Sequence, residues 1–297
     1  MAHFSPLRRF AGRACLLVGA LCAFAPARPA RADAGGPLAI AAAGSLRGAL
    51  DDIAREFTQR THVPVRLTYG PAGQLSRQIA GGEHADMFLS ADTAYPRQLV
   101  QAGLGRASFV FVRNSLCLIA PAQSGLTTRN SAARLLDPAV HIGISTPGND
   151  PGGDYAWQVL SRLEQVEHLA PGSVLYRARA LVGGAVVPPV PPGASPVAYY
   201  LRSAQVDVFL AYCSQHSLKP SPDLSYTPLP DRLSVPVEYA ALILDKTRHR
   251  AEAEAFGKTL LSPEAQRIFR QYGFISPGNA VAGQGMPSVS GPYGGTP

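Results

Sequence analysis

The segment that most constrains the fold is residues 38–50 (LAIAAAGSLRGAL), in which a short apolar run passes directly into a helical pattern. Residues 38–43 predict a buried strand, and the apolar residues that follow recur at helical spacing. Gly44 and Ser45 lie between the two, and Ser45 is predicted to cap the helix through its hydroxyl. A junction of this kind leaves free N–H groups and the positive end of the helix dipole facing a crevice. The segment therefore predicts a site for an anion.

The rest of the chain repeats this alternation of strands and helices. Residues 63–69 predict a strand, residues 70–73 a turn, and a helix follows from Gln74. Another strand is predicted at residues 141–145, and a Gly-rich turn follows it at residues 146–153. Alternating strands and helices are typical of α/β proteins with doubly wound parallel sheets, which bind ligands beyond the carboxyl ends of their strands.

The order of the elements predicts two lobes joined by two crossings. The β-rich run at residues 108–121 predicts the first crossing, and the apolar strand at residues 235–244 predicts the return. We therefore expect one lobe from residues 36–112 plus 236–277, and the other from residues 113–235. Strand–turn–helix junctions that face the cleft between the lobes fit a hinged protein that closes on a ligand.

Residues 1–32 are predicted to be a secretory signal peptide. They hold five arginines, no acidic residue, and an apolar run at residues 14–25 that is short for a membrane span, although a retained anchor stays open. Removing those arginines from the 27 lysines and arginines leaves 22 basic residues against 20 acidic ones. No basic and aromatic cluster indicates nucleic acid binding. We expect a soluble periplasmic monomer with a disordered tail at residues 278–297.

Two cysteines, Cys117 and Cys213, remain after the predicted cleavage. In an exported protein two cysteines are able to form a disulfide. Buried free thiols are the alternative, because the sequence does not reveal whether the two Cα atoms lie close enough to be bridged. Both possibilities stay open at this point.

Five sequence blocks occur in a fixed order, at residues 41–46, 69–92, 150–155, 206–214 and 269–274. Together they resemble the periplasmic molybdate-binding proteins that supply ABC transporters, and the resemblance extends over about residues 37–277. It implies a two-lobed periplasmic-binding-protein fold of the type II kind, with a hinge and a ligand cleft between the lobes. It also implies that the protein captures molybdate or tungstate and delivers it to an ABC permease.

The resemblance further implies which residues contact the oxyanion. Ser45 is expected to donate from its hydroxyl and its backbone N–H. Gly152 matches a position that donates a backbone N–H, and Val182 or the neighbouring Gly183 lies near another. Tyr212 matches a tyrosine whose hydroxyl reaches the ligand. These residues contact oxygen atoms of the ligand, so no direct ligand to a metal and no cofactor is expected.

One position departs from the family pattern. The turn at Ala72 is expected to donate a backbone N–H, but the family usually has a serine there, so a hydroxyl is missing. A hydrogen bond to a charged group contributes roughly 1.5–3 kcal/mol, so affinity or specificity differs unless Gly73 N–H or a water compensates. Fixed donors discriminate by size, so molybdate and tungstate are expected to bind and sulfate to be rejected.

Two other functions remain possible from the sequence. The same fold is able to bind sulfate, phosphate or a small organic anion, and Ala72 and the proline-rich loop at residues 187–196 keep this open. A hydrolase with Ser45 as nucleophile would need a neighbouring base. The blocks of the first lobe offer His84 alone, and the sequence has no G-x-S-x-G elbow, so we expect no enzyme.

Overall fold

The computed structural model describes residues 36–218 and 221–278. The predicted signal peptide and all but the first residue of the predicted tail therefore lie outside the described residues. Within the described ranges, no helix is both long and apolar enough to cross a membrane.

Ten strands and nine helices form the described part of the chain. The strands are β1 (Leu38–Ala43), β2 (Val65–Gly70), β3 (Met87–Ser90), β4 (Gly105–Asn114), β5 (Leu116–Pro121), β6 (Ile142–Ser145), β7 (Arg179–Val182), β8 (Val208–Tyr212), β9 (Leu224–Pro228) and β10 (Val237–Leu244). The α-helices are α1 (Arg47–Thr61), α2 (Ala72–Ala80), α3 (Ala94–Gln101), α4 (Ser131–Leu136), α5 (Pro151–Val166), α6 (Pro196–Arg202), α7 (Gln215–Leu218), α8 (Arg250–Leu260) and α9 (Pro263–Gln271). Short 3₁₀ turns lie at Gly44–Leu46, Ala122–Ser124 and Leu175–Arg177.

The strands form two five-stranded sheets with the same layout. The first sheet has the order β2-β1-β3-β10-β4, and the second has the order β7-β6-β8-β5-β9. In each sheet three neighbouring strands are parallel and the other two pair antiparallel. The expected two-lobed α/β fold is confirmed, with mixed sheets in place of purely parallel ones because the crossing strands run antiparallel to their neighbours. The exact limits of the two lobes stay a prediction.

The start of the first helix differs from the prediction. A 3₁₀ turn separates β1 from α1, so Leu46 occupies the N-cap position and no side chain caps the helix. The predicted cap at Ser45 is therefore wrong, because the extra turn directs its hydroxyl to Tyr239, with the two oxygens 3.1 Å apart. The predicted turn at residues 70–73 is also too long, because α2 already begins at Ala72, directly after Pro71.

Buried aromatic rings hold the C-terminal segment against the first sheet. Tyr239 on β10 lies between Phe111 on β4 and Phe274, with ring centroids 6.5 and 5.5 Å away. Phe269 on α9 packs against both of these phenylalanines. This packing fixes the Tyr239 ring, so its hydroxyl reaches the end of β1.

A disulfide joins Cys117 on β5 to Cys213, directly after β8, with the Cα atoms 5.0 Å apart. Of the two states left open by the sequence, the structure has the bonded one. The two strands are also hydrogen-bonded neighbours, with Cys117 opposite Ala211. The disulfide therefore fastens the end of β8, where Tyr212 lies, to the strand that follows the crossing between the sheets.

Candidate functional site

A cleft of about 780 Å³ lies where the carboxyl ends of β1, β2, β6 and β8 meet the first turns of α1, α2 and α5. Five of the six residues predicted to contact a ligand line it, namely Ser45, Ala72, Gly152, Val182 and Tyr212. Strand ends and helix starts from both sheets thus converge on one point, as the alternating pattern predicted. The volume is much larger than a single tetrahedral oxyanion needs.

Gly73 is the sixth predicted residue, and it faces a loop of the second lobe. Its N–H donates to the Asn149 carbonyl oxygen at 3.0 Å. A Cβ at this position would lie 2.8 Å from the Tyr95 hydroxyl and 2.9 Å from the Asn149 carbonyl oxygen, so the close approach requires glycine. Because this N–H is already used, it does not replace the hydroxyl that is missing at Ala72.

Ala72 is the first residue of α2 and is almost fully buried. Its N–H belongs to the first turn, where backbone donors have no partner within the helix. The positive end of the helix dipole lies at the same point. The cleft wall at Ala72 therefore offers backbone donors and a methyl group, but no side-chain donor.

The start of α5 carries a carboxylate that sequence reasoning missed as a site residue. Asp150 lines the cleft, and its side chain accepts the Gly152 N–H at 2.9 Å as the helix N-cap. The N–H predicted for the ligand is therefore bonded to a carboxylate in this structure. The available signal was Asp150-Pro151 after a Gly-rich turn, which is typical of a capped helix start.

Burial raises the pKa of the Asp150 carboxyl to about 6. The nearby Asp154 carboxylate acts in the same direction, while hydrogen bonds from Gly152 N–H and Ser145 lower the pKa in part. Near neutral pH this half-buried group changes charge inside a cleft that the sequence predicts to hold an anion. An ionised Asp150 would oppose an anion in the cleft, whereas the neutral carboxyl would not.

Val182 and Gly183 line the cleft, and Gly183 lies directly against the Asp150 side chain. The Val182 carbonyl accepts from Thr146 N–H at 2.8 Å and from the Thr146 hydroxyl at 3.0 Å. Gly183 has a φ of +75°, and a Cβ there would lie 2.7 Å from Asp150 Oδ2. Glycine is required at this position on both grounds.

Tyr212 supplies the clearest unused donor. It ends β8 with 5% of its surface exposed, and its buried hydroxyl has no hydrogen-bond partner within the described residues. Burial raises the pKa of Tyr212 well above its ordinary value, so the hydroxyl keeps its proton. Since a buried polar group without a partner is costly, this hydroxyl indicates a ligand that completes it.

The structure separates Ser45 from the histidine considered as a base. His84 Nε2 lies 3.8 Å from Asp86 Oδ1, and Asp86 Oδ2 accepts the Ala39 N–H at the opening of β1. Ser45 follows the other end of that strand. Among the described residues, the hydrogen-bond partner of the Ser45 hydroxyl is Tyr239.

A family model described as bacterial extracellular solute-binding protein matches residues 38–275. The chain belongs to this family. An uncharacterized protein of Pasteurella multocida is 34% identical over 242 residues, which is 80% of this chain and 97% of that protein. The molybdate-binding protein ModA of Escherichia coli is 29% identical, over 87% of this chain and 96% of ModA. The resemblance of this solute-binding protein to molybdate-binding proteins is thereby confirmed.

Solved structures support the same fold. The periplasmic molybdate-binding protein of Azotobacter vinelandii aligns with a TM-score of 0.62 and 24% identity, over 80% of this chain and 98% of that chain. The sulfate-binding protein SubI of Mycobacterium tuberculosis aligns with a TM-score of 0.66 and 16% identity, over 84% of this chain and 89% of that chain. At these identities the two likenesses show the fold alone, and the fold serves different oxyanions.

Proposed function

We propose that this solute-binding protein captures molybdate, or the similar tungstate, in the cleft and delivers it to an ABC permease as an exported monomer. The buried Tyr212 hydroxyl, which has no hydrogen-bond partner among the described residues, carries the proposal, because it has a proton to donate and an oxyanion would accept it. Ser45 and the first turn of α2 at Ala72 face the same cleft. The relatives named for molybdate binding support the choice of ligand.

The donors proposed to contact the ligand are neutral groups on rigid elements, although the cationic Arg47 also lines the cleft, with its guanidinium over the Tyr69 ring. Tyr212 ends a wholly buried strand, and Ala72 begins a helix that is anchored to the second lobe through Gly73 and Asn149. Donors held in this way do not follow a smaller ion inward, so the larger tetrahedral anions are favoured. We expect the protein to bind its ligand without changing it chemically, and therefore to show no turnover of model esters.

Isothermal titration of the mature, dialysed protein with molybdate, tungstate, sulfate and phosphate tests the proposal. We expect molybdate and tungstate to bind tightly and sulfate to bind at least a hundredfold more weakly. Tight sulfate binding, or no heat with either larger anion, would refute the molybdate assignment.

A second candidate ligand is phosphate, and the observation that favours it is Asp150. A carboxylate in the cleft is able to accept the proton that hydrogen phosphate carries, whereas molybdate and sulfate bring no proton near neutral pH. The same titration separates the two candidates, because this arrangement would select phosphate over sulfate and molybdate.

Tyr212→Phe is expected to weaken molybdate binding by about tenfold or more while stabilising the free protein. The lost hydrogen bond to a charged ligand contributes roughly 1.5–3 kcal/mol, and removing an unsatisfied buried hydroxyl relieves a cost of roughly 1–3 kcal/mol. Titration and thermal unfolding without ligand measure the two effects.

Tyr200→Phe is the matched control for this variant. Tyr200 is also buried, but its hydroxyl already donates to the Pro188 carbonyl at 2.7 Å. This change is expected to lower the melting temperature and to leave molybdate affinity unchanged. A destabilised Tyr212→Phe protein with normal affinity would contradict the role assigned to Tyr212.

A further inference from the structure

A chain of buried hydrogen bonds leads from the crossing between the sheets to Ser45. Asn114 ends β4, and its Oδ1 accepts the Ser115 N–H at 2.9 Å. Its Nδ2 therefore faces the other two partners, Ser214 Oγ at 2.9 Å and Tyr239 Oη at 3.2 Å. Asn114, Ser214 and Tyr239 are all buried, so water does not compete for these bonds.

The direction of each bond follows from the donors available. An amide nitrogen donates only, so Asn114 directs one proton to Ser214 and the other to Tyr239. Burial raises the pKa of Tyr239, so its hydroxyl keeps its own proton. The acceptor within reach of that proton is Ser45 Oγ at 3.1 Å.

Ser45 is thereby left with its own proton unused. Its Oγ accepts from Tyr239, and its side chain lines the cleft. A serine hydroxyl has one proton, and because Tyr239 already donates to Ser45 Oγ in this arrangement, that proton stays available for the cleft. A free serine would rotate among several directions, only some of which face a ligand.

We propose that Asn114 and Tyr239 are positioning residues that hold the Ser45 hydroxyl as a donor to the bound anion. The inference rests on the proposed function in one respect, namely that an anion contacts Ser45. It adds that affinity depends on two side chains that do not line the cleft, one at the first crossing and one on the returning strand β10. We call the hydrogen-bonded series Asn114–Tyr239–Ser45 the relay. Ser214 connects this relay to the second lobe.

A double-mutant cycle tests the proposal by titration with each anion of the panel. Tyr239→Phe keeps the ring that packs against Phe111 and Phe274 but removes the hydroxyl. We expect it to weaken anion binding by about tenfold, as for one hydrogen bond. In the Ser45→Ala background the same substitution is expected to change affinity less than twofold. Equal losses in both backgrounds would mean that Tyr239 acts through packing, and would overturn the proposal.

Asn114→Asp provides a second cycle that does not depend on Tyr239→Phe being stable. The aspartate is close in shape to asparagine but, when ionised, accepts where the amide donated. In the carboxylate form, at pH 8 and above, Tyr239 therefore turns its proton toward residue 114 and Ser45 then donates to Tyr239. The expected loss is again about tenfold and again confined to proteins that retain Ser45. A loss that persists in the Ser45→Ala background would reflect through-space repulsion by the new charge, and would count against the relay.

The outcomes separate this inference from the proposed function. Coupling measured with sulfate or phosphate, in a protein that does not bind molybdate, would support the relay and refute the molybdate assignment. Tight molybdate binding without coupling would support the molybdate assignment and refute the relay. A wild-type protein that binds none of the four anions would overturn both.

Discussion

Replacing Cys117 or Cys213 with alanine is expected to lower the free energy of unfolding by about 3–4 kcal/mol. The disulfide joins residues 96 positions apart, and closing a loop of that length strongly restricts the unfolded chain. Alanine is chosen because Cys117 is buried and a serine hydroxyl there would need a partner. The loss is measured by urea unfolding of the oxidised wild type and of the variants.

The single variants provide the control for this experiment. Because either substitution removes the same cross-link, each single variant and the double variant are expected to lose nearly the same stability. Reducing the wild type with dithiothreitol is expected to give a similar loss. Small additive losses, together with two free thiols per unfolded mature chain before reduction, would show that the bond is absent.

The disulfide also bears on ligand binding, because Cys213 directly follows Tyr212. The covalent tie to β5 limits how far the end of β8 moves. Under the proposed function Tyr212 therefore donates from a fixed position, which is the condition for discrimination by size. If the proposal holds, stability and selectivity depend on the same few residues at the end of β8.

Local patterns predicted most of the strands, but β7 and β9 were not predicted. The predicted strand at residues 38–43 matches β1 residue for residue, because an apolar segment buried on both faces leaves a continuous hydrophobic run. The turn after it was harder to predict. Whether Ser45 caps α1 or contacts another strand depends on Tyr239, which is 194 residues away. The spacing of apolar residues around Ser45 does not reveal this long-range contact.

The charge balance of the site was the other feature that sequence reasoning missed. Gly152 was predicted as a donor to the ligand because its position matched the family, and Asp150 was given no role there. The two are only two residues apart, but the contact between them depends on where α5 begins. The helix starts at Pro151, inside the turn predicted at residues 146–153, and this shift turns Asp150 into a cap that faces the cleft.

Molybdate affinity is therefore expected to fall as the pH rises above about 6, the pKa of Asp150. Below that pH the carboxyl is protonated and neutral. Above it, a negative charge lines the cleft, and a bound dianion favours the protonated form. Binding then takes up a proton, so affinity falls by as much as about tenfold per pH unit, the limit for one group. Titration between pH 5.5 and pH 8.5 (about three units) measures the slope.

The charged and titratable groups around Asp150 do not reverse this sign. Asp154 on α5 adds negative charge on the same side and raises the Asp150 pKa further. Tyr212 on β8 stays protonated throughout this range, since burial raises its pKa well above the ordinary value. Ser145 and Gly152 N–H offset the effect only in part, because burial is the larger cause.

Asp150→Asn is expected to flatten the profile and to bind molybdate up to about a hundredfold more tightly than the wild type at pH 8, two units above the pKa. Asparagine still accepts the Gly152 N–H as a helix cap, so α5 is expected to start at the same residue. Asp207→Asn is the control. Asp207 precedes β8 at the end opposite Tyr212 and pairs with His141, so its loss is expected to leave the slope unchanged.

The same measurement decides between the two candidate ligands, because they require different protonation states of Asp150. Molybdate needs the neutral carboxyl and loses affinity as the group ionises. Hydrogen phosphate needs the ionised carboxylate to accept its proton, so its affinity is expected to hold or rise through pH 6, and Asp150→Asn is expected to weaken it. A wild-type profile that is flat for both anions would mean that Asp150 serves α5 as a cap and has no part in binding.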